Sequence, residues 1–226
     1  MSRSLRAAAL AVAGYCLLSL PAQADEMQLS VFGGANWNLS SDVKLRNAGV
    51  PDETRSIDWD GASFDLPPYW GVRGTYWLQP GAGWGFAIDY AHQKATADGI
   101  PDGTFDRLEF TDGNNVLLIE ALYRFSPVMD GALVPYVGAG VGVAIPHVEV
   151  TLAETGDRTF EYQLAGAAAQ ILAGLEYKLS DQWSLFSEAR LSYSHIDADL
   201  EGGGSLETDL WSPQLAIGVT YRFPGF

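Results

Sequence analysis

Large apolar residues alternate with small or polar residues over most of the chain. In the segment 214–223 the odd positions carry Leu, Ile, Val, Tyr and Phe, whereas the even positions carry Gln, Ala, Gly, Thr and Arg. A two-residue period is typical of a β-strand with one apolar and one polar face. The pattern, or a glycine-rich form of it, also occurs at 27–38, 66–79, 84–91, 117–125, 133–149, 170–177 and 185–193. The alternation therefore predicts eight strands.

The connections between these predicted strands alternate in length. Three short connections lie at 79–83, 126–132 and 180–182, whereas the long ones lie at 39–65, 98–113, 150–163 and 197–209. Barrels of the outer membrane have short periplasmic turns and long outer loops, so they produce this alternation. Both chain ends are then expected on the periplasmic side.

The strands of a soluble sandwich also alternate apolar and polar residues. The composition of the polar face distinguishes a membrane barrel from such a sandwich. Here that face carries glycine, alanine and isolated charges of both signs, which suits a narrow interior better than a surface in water. Transmembrane barrels turn the apolar face to lipid and the polar face inward. We therefore predict an all-β fold, an eight-stranded antiparallel transmembrane β-barrel, with a soluble sandwich as the alternative.

Aromatic residues near the strand ends form two predicted belts, as expected at the two membrane interfaces. The periplasmic belt contains Trp84, Tyr123, Phe125, Tyr177, Trp183 and Tyr221. The outer belt contains Trp37, Trp70, Tyr90, Tyr193 and Trp211.

The first 24 residues have the features of a secretory signal peptide. Two arginines precede an apolar run, and the segment ends in the small-residue pattern Ala22-Gln23-Ala24 that signal peptidase accepts. Cleavage there would leave a single domain, 25–226, exported to the outer membrane of a Gram-negative bacterium. The only cysteine, Cys16, would be removed, which excludes disulfides and thiolate sites from the mature chain.

The net charge of −15 comes from the four long connections. Counted with Glu149, they hold 20 acidic residues against five basic ones, and the other charged residues balance. An acidic surface of this kind excludes nucleic-acid binding, which needs positive charge. The acidic loops are either a solvated cap or a surface that binds divalent cations, which prefer carboxylate oxygens. Such cations also bridge the phosphates of lipopolysaccharide, so outer-membrane lipid and lipopolysaccharide are the expected partners of a monomeric barrel.

Eight charged residues are expected inside the barrel because they occupy polar-face positions. They are Arg73, Asp89, Glu120, Arg124, Glu176, Glu188, Arg190 and Arg222. An interior of eight strands is filled by side chains, and four arginines can pair with four carboxylates there. The sequence thus favours an ion-paired plug over a proton relay or gated pore.

The segment 134–142, VPYVGAGVG, resembles the OmpA-type family of small outer-membrane barrels. That resemblance extends over the whole predicted mature chain and implies the barrel architecture. Many functions share this architecture, so it does not define an activity.

Rim and loop segments resemble a narrower group, the outer-membrane lipid A oxidases. The segments are LPPYWGVR at 66–73, RLEFTDG at 107–113, PHVEV at 146–150, FEYQ at 160–163 and DADLEGGG at 197–204. The resemblance implies an enzyme that uses O₂ as co-substrate to convert the proximal glucosamine of lipid A to 2-aminogluconate. Such a reaction needs a redox centre, and the chain has no nucleotide-binding fingerprint.

A divalent metal ion at the outer rim is the redox centre that the sequence allows, and three histidines lie near that rim. We predict His92, His147 and His195 as metal ligands, with Glu149, Glu161, Glu109 and Asp112 as catalytic carboxylates. The alternative is that the three histidines face lipid headgroups at the interface. Ser194 and His195 do not form a hydrolase pair, because adjacent strand residues point to opposite faces.

Two functional hypotheses follow from the sequence. The first is an O₂-dependent enzyme acting on lipid A. The second is a non-enzymatic OmpA-like barrel, without an open pore, that stabilises the outer membrane or presents its loops to partners.

Overall fold

A computed structural model describes residues 26–79, 82–99 and 103–224, which form one antiparallel β-sheet. The predicted signal peptide and its cleavage site lie outside these residues. In chain order the strands are β1 (Glu26–Asn36), β2 (Ser41–Arg46), β3 (Glu53–Ile57), β4 (Trp59–Asp60), β5 (Trp70–Trp77), β6 (Gly83–Ala97), β7 (Phe105–Arg124), β8 (Leu133–Leu152), β9 (Arg158–Tyr162), β10 (Gly166–Lys178), β11 (Trp183–Asp199) and β12 (Ser205–Arg222). In this part of the chain no helix is long and apolar enough to cross a membrane.

Eight of the strands follow one another in the order β1, β5, β6, β7, β8, β10, β11 and β12. The first of them, β1, pairs with β5 along one edge and with β12 along the other. Val31, for example, lies opposite Val72 of β5 and opposite Val219 of β12.

The described sheet has twelve strands, four more than the alternation predicts. The additional strands β2, β3, β4 and β9 lie in the predicted loops 39–65 and 150–163. Strands β2, β4 and β9 pair along the ends of β12, β6 and β8, and β3 pairs with β2. The long strands also extend into the predicted loops, because β7 begins at Phe105 and β11 ends at Asp199. We call this end of the sheet the loop end, and the end with the short connections the turn end.

An apolar core explains why the predicted loops form strands. Alternate residues of the extended strands pack into one buried cluster that includes Val43, Ile57, Phe110, Leu152 and Leu206. Trp59 stacks on Phe110 with ring centroids 5.7 Å apart. Each buried side chain of this size contributes roughly 1.5–3 kcal/mol by leaving water. The acidic segments are thus a folded cap rather than solvated loops.

The middle of the sheet has the opposite arrangement, with an exposed apolar face. Ile119, Val141 and Ile217 are each 69% exposed, whereas Asp89 and Glu188 on the other face are fully buried. A soluble protein normally buries the apolar face and exposes the charged one, so this surface is suited to lipid.

The exposed apolar face ends in aromatic residues on both sides, as predicted. Trp84 packs on Tyr123 and Trp183 on Tyr221 at the turn end. Trp70 packs on Tyr90, and Tyr193 on Trp211, toward the loop end.

The eight predicted interior charges lie on the buried face, in two groups. In the central group, Arg73 binds Glu188, and Arg190 donates from Nε to Glu188 at 2.6 Å and lies 3.4 Å from Asp89. Glu120 completes this group; its Oε2 lies 3.8 Å from Arg73, and Oε1 accepts a hydrogen bond from Gln170 at 2.8 Å.

The second group lies at the turn end and contains a carboxylate that the sequence prediction missed. Glu26 lies 2.8 Å from both Arg124 and Arg222, and Arg222 also reaches Glu176 at 3.5 Å. The predicted balance of four arginines and four carboxylates is therefore wrong, because Glu26 adds a fifth carboxylate. It was missed because it stands at the very start of the first strand, before the alternation becomes readable.

Candidate functional site

A bulge in β7 lies in a polar part of the exposed face. The register between β7 and β8 shifts between Glu109 and Asn114, and the pairing of β6 with β7 shifts opposite the same segment. Residues 111–113, which we call the β7 bulge, are left without a regular cross-strand partner. Gly113 has φ +93°, a backbone conformation that other residues rarely adopt. Two histidines lie on either side of this bulge.

His92 of β6 lies against the bulge and is held by a hydrogen-bond network. Its Nδ1 is 2.9 Å from Oδ1 of Asn115, which also accepts a hydrogen bond from Tyr90 at 2.8 Å. Asn115 donates its amide hydrogens to the backbone carbonyls of Asp112 and Ile145. Because Oδ1 is therefore an acceptor, Nδ1 of His92 carries the proton and Nε2 keeps a free lone pair. That Nε2 is buried and has no hydrogen-bond partner within the described residues.

His147 of β8 lies on the other side of the bulge. Its Nδ1 is 3.8 Å from Oδ2 of Asp112, and its ring packs edge-to-face with the rings of Phe160 and Tyr162. Tyr162 also donates a hydrogen bond to the Asp112 carbonyl at 3.4 Å.

Both histidines occupy the exposed face, as their positions in the strands predict, yet each is only 4% exposed. Trp70 stacks on His92, and strand β9 covers His147. The expectation of histidines in open contact with headgroups is wrong for this pair, because sequence alternation does not reveal the bulge or the short strand that cover them.

We call the group Tyr90, His92, Asp112, Asn115, His147 and Tyr162 the rim cluster. It brings together three of the predicted site residues, His92, His147 and Asp112. The other three were missed as site residues, although the sequence Thr111-Asp112-Gly113-Asn114-Asn115 within a strand is a signal for a bulge. Asp112 and Tyr162 are about half exposed, so the cluster can hydrogen-bond a molecule that lies against the sheet.

The predicted catalytic residues Glu109 and Glu149 lie next to the rim cluster but are engaged in ion pairs. Glu149 lies 2.7 Å from Arg158 and 3.1 Å from Arg107, which also binds Glu109, and it accepts a hydrogen bond from Thr111 at 2.7 Å. Burial alone would raise the pKa of Glu149, but the hydrogen bonds from Thr111 and Arg158 and the charges of both arginines hold it below its ordinary value. Glu149 thus fastens the β7 bulge to β8 and β9.

Two other predicted site residues lie apart from the rim cluster. Glu161 pairs in register with Val148 and is exposed, where it accepts a hydrogen bond from Gln163. His195 of β11 is separated from β8 by β10, and its Nδ1 lies 2.9 Å from Asp209.

The donor set does not fit a metal centre of three protein ligands. Over residues 26–79, 82–99 and 103–224, no group of three or more His, Cys, Asp or Glu side chains is placed to hold a metal ion. His92 offers only Nε2, and His195 stands on a different part of the sheet. The rim cluster supplies hydrogen-bond donors, acceptors and proton-accepting nitrogens.

Comparison with known proteins identifies a family. The model of a family described as outer membrane protein beta-barrel domain matches residues 8–223. A search of curated protein sequences gives no match.

Several solved structures are similar to this chain at low identity. Neisserial surface protein A is 15% identical, with a TM-score of 0.46, 90% of this chain covered and 100% of that one. The outer membrane protease OmpT from Escherichia coli is 10% identical, with a TM-score of 0.47 and coverages of 91% and 99%. The N-terminal β-barrel domain of Pseudomonas aeruginosa OprF is 18% identical, with a TM-score of 0.38 and coverages of 87% and 97%.

Proposed function

The chain belongs to the outer membrane protein β-barrel domain family, and we propose that it acts on lipid A in the outer leaflet of a Gram-negative outer membrane. In this proposal the eight long strands close into a transmembrane barrel, with the loop end outside the cell. The pairing of β1 with both β5 and β12 supports closure, and the exposed apolar face supports contact with lipid.

The position of the rim cluster is the observation that carries the proposal. Its polar groups lie on the face that is otherwise apolar, just beyond the aromatic pair of Trp70 and Tyr90. Polar groups at this height meet sugar hydroxyls and amides of a glycolipid rather than acyl chains. Asp112 and Tyr162, which are about half exposed, are the members of the cluster that a hydroxyl or amide group of such a ligand can reach.

The resemblance to lipid A oxidases supplies the reaction class. The proximal glucosamine would lose two electrons to O₂, which is reduced to hydrogen peroxide, and would take up the oxygen of a water molecule to become 2-aminogluconate. In this reaction the rim cluster binds and orients the sugar, with Asp112 and Tyr162 as the exposed partners and His92 and Asn115 buried behind them. The rim cluster would bind the sugar and would not supply the redox centre that the oxidation needs, because the described residues contain no group of three side chains placed to hold a metal ion.

A non-enzymatic barrel is the second candidate, favoured by the filled interior. The buried ion pairs around Arg73 and Arg190 and the apolar core of the cap leave the structure well suited to a passive, closed barrel. Its loop carboxylates would bind divalent cations that bridge lipopolysaccharide phosphates.

Mass spectrometry of lipid A distinguishes the two candidates. We expect lipid A from an aerated heterologous host that expresses this chain, with divalent metals supplied, to gain one oxygen atom on the proximal sugar. The double variant His92→Ala/Asp112→Asn should abolish this product, whereas Asp106→Asn, an exposed change on the same strand, should not. Unmodified lipid A both in this host and in a comparison of parent and deletion strains would contradict the oxidase and leave the passive barrel.

A further inference from the structure

A second polar group on the exposed face contains an oriented histidine. His195 and Asp209 lie directly opposite each other across β11 and β12, with Nδ1 of His195 at 2.9 Å from Oδ1 of Asp209. Tyr193 donates a hydrogen bond of 2.6 Å to the same oxygen. Hydrogen bonds from Tyr193 and His195 lower the pKa of Asp209, so this carboxylate is ionised and accepts the Nδ1 proton. The other nitrogen, Nε2, then has its lone pair free to accept a proton.

This histidine is accessible, unlike the two in the rim cluster. The side chain of His195 is 40% exposed and that of Asp209 is 49% exposed. Ser194 points to the opposite face and is buried, so it is not in place to act as a nucleophile toward a molecule bound at His195. An exposed imidazole whose Nδ1 is oriented by a carboxylate can act as a general base toward water.

The same two strands define the height of His195 relative to the membrane. On β11 and β12 the outward pairs run from Trp183 and Tyr221 at the turn end to Tyr193 and Trp211 toward the loop end. The ten residues from Trp183 to Tyr193 rise about 25 Å along the barrel axis, at about 3.3 Å per residue and a strand tilt of about 40°. This is the height of the apolar band of outer-membrane barrels.

His195 and Asp209 form the next outward pair, about 5 Å beyond the outer aromatic pair by the same rise and tilt. The polar layer of a bilayer extends roughly 5–7 Å beyond the hydrocarbon on each side. The pair therefore lies in the layer that contains the ester groups of membrane lipids and admits water.

Charged neighbours complete this site. Lys44 of β2 donates a hydrogen bond of 2.7 Å to Glu207, which precedes Asp209 by one outward position on β12. The positive charge of Lys44 also acts on Asp209. Lys44 therefore adds a positive charge beside the carboxylates of Glu207 and Asp209.

We propose that His195 and Asp209 form a general-base dyad that hydrolyses an acyl ester of an outer-leaflet lipid. Nε2 of His195 takes a proton from water while the water oxygen bonds to the ester carbonyl carbon. The carbon–oxygen bond to the alcohol then breaks, and His195 returns the proton to the leaving alkoxide. The products are a fatty acid and an alcohol, and no redox partner is consumed. This activity rests on the membrane placement proposed above but not on lipid A oxidation or on the rim cluster.

The test uses the full mature chain refolded into vesicles of lipopolysaccharide and phosphatidylethanolamine, with free fatty acids measured by mass spectrometry. We expect fatty acid release that His195→Ala reduces by about 10²–10⁴-fold, the usual contribution of a general base. Asp209→Asn should reduce release strongly, whereas Asp197→Asn, an exposed carboxylate on the same face of β11, should leave it unchanged.

Fatty acid release is compared only for protein that migrates as folded in unheated electrophoresis. If His195→Ala does not fold, His195→Gln takes its place. Release that is equal in the native chain and the folded His195 variant would overturn the dyad. The same spectra separate the two proposals, because hydrolysis removes an acyl chain whereas oxidation adds oxygen to the sugar.

Discussion

Gly113 lies so close to His92 that a β-carbon on the glycine would stand 2.4 Å from Nδ1 of the imidazole. The contact joins the β7 bulge to β6, and it leaves no room for any residue other than glycine. The position of His92 in the rim cluster therefore depends on the bulge as well as on its hydrogen bond to Asn115.

Replacing Gly113 with alanine should displace His92 and open the rim cluster. We expect local destabilisation of about 1–3 kcal/mol from the strained backbone, with a further loss from the steric clash. Hydrogen exchange of the backbone amides of residues 111–115 would measure this loss of local stability. Gly103→Ala is the matched control, because Gly103 has φ +94° and nothing within 4 Å of its β-carbon position. Equal effects at both glycines would show that the contact with His92 is unimportant.

Arg190→Met should destabilise the protein by about 3–5 kcal/mol, because it leaves Asp89 and Glu188 with one arginine fewer on the buried face. Urea unfolding in vesicles is the measurement. The control is Arg55→Met, which removes an ion pair with Glu53 in which the arginine side chain is 45% exposed. It should lower the free energy of unfolding by less than about 1 kcal/mol. A small loss for Arg190→Met would mean that the interior is hydrated enough to screen these charges.

Acid should loosen the attachment of the β7 bulge through Glu149. The pKa of Glu149 is lower in the folded chain than in the unfolded one, so its stabilising contribution is complete above the unfolded pKa of about 4.3 and is lost as pH falls through the folded value. Hydrogen exchange of residues 109–115 and 147–151 should increase over that range. In Glu149→Gln this increase should be reduced, and an unchanged increase would assign it to other carboxylates.

The protein should not conduct as an open pore. Buried arginine–carboxylate pairs fill the centre of the sheet, and the apolar core of the cap lies beyond them at the loop end. Planar bilayers containing the native chain should show no steady, large single-channel current. Such a current from folded protein would contradict the ion-paired plug.

Phe110→Ala should unfold the cap before the membrane part. Phe110 is fully buried and stacks on Trp59, and removal of a phenylalanine from a core costs about 3–5 kcal/mol. Protease should then cleave within 41–60 on intact cells, while the rest of the sheet keeps its folded electrophoretic mobility. The exposed Phe64, which is 83% accessible, provides the control Phe64→Ala with no added cleavage.

The central part of the sheet was predictable because the two-residue alternation of apolar and polar positions can be read without knowing which residues lie on neighbouring strands. The exposed face is marked by large apolar residues such as Ile217 and Val219. The buried face is marked by charged residues such as Arg73, Asp89 and Glu188. Each residue needs only its own position in a strand for this assignment.

The cap and the rim cluster depend on contacts that sequence alternation does not contain. The apolar core around Val43, Ile57 and Leu206 was not recognised from the sequence. Acidic residues on the outer face of the same strands alternate with these apolar residues and make the segments resemble polar loops. His147 is covered by a strand from a later segment, and Tyr162 on that strand was recognised only as part of a family-like sequence. Orientation of His195 by Asp209 likewise depends on the register between β11 and β12.

The two-residue period also restricts how the chain can change in length during evolution. One residue inserted near Ala87 would turn Asp89 toward lipid and Ile88 into the buried charge cluster, so single insertions or deletions within the long strands are expected to be lethal to folding. We expect insertions to be tolerated where the register already shifts, between Gln93 and Ala95 and between Glu109 and Asn114. Both places lie next to the rim cluster. Relatives of this protein can therefore differ by insertions at this surface while the register of the long strands stays the same.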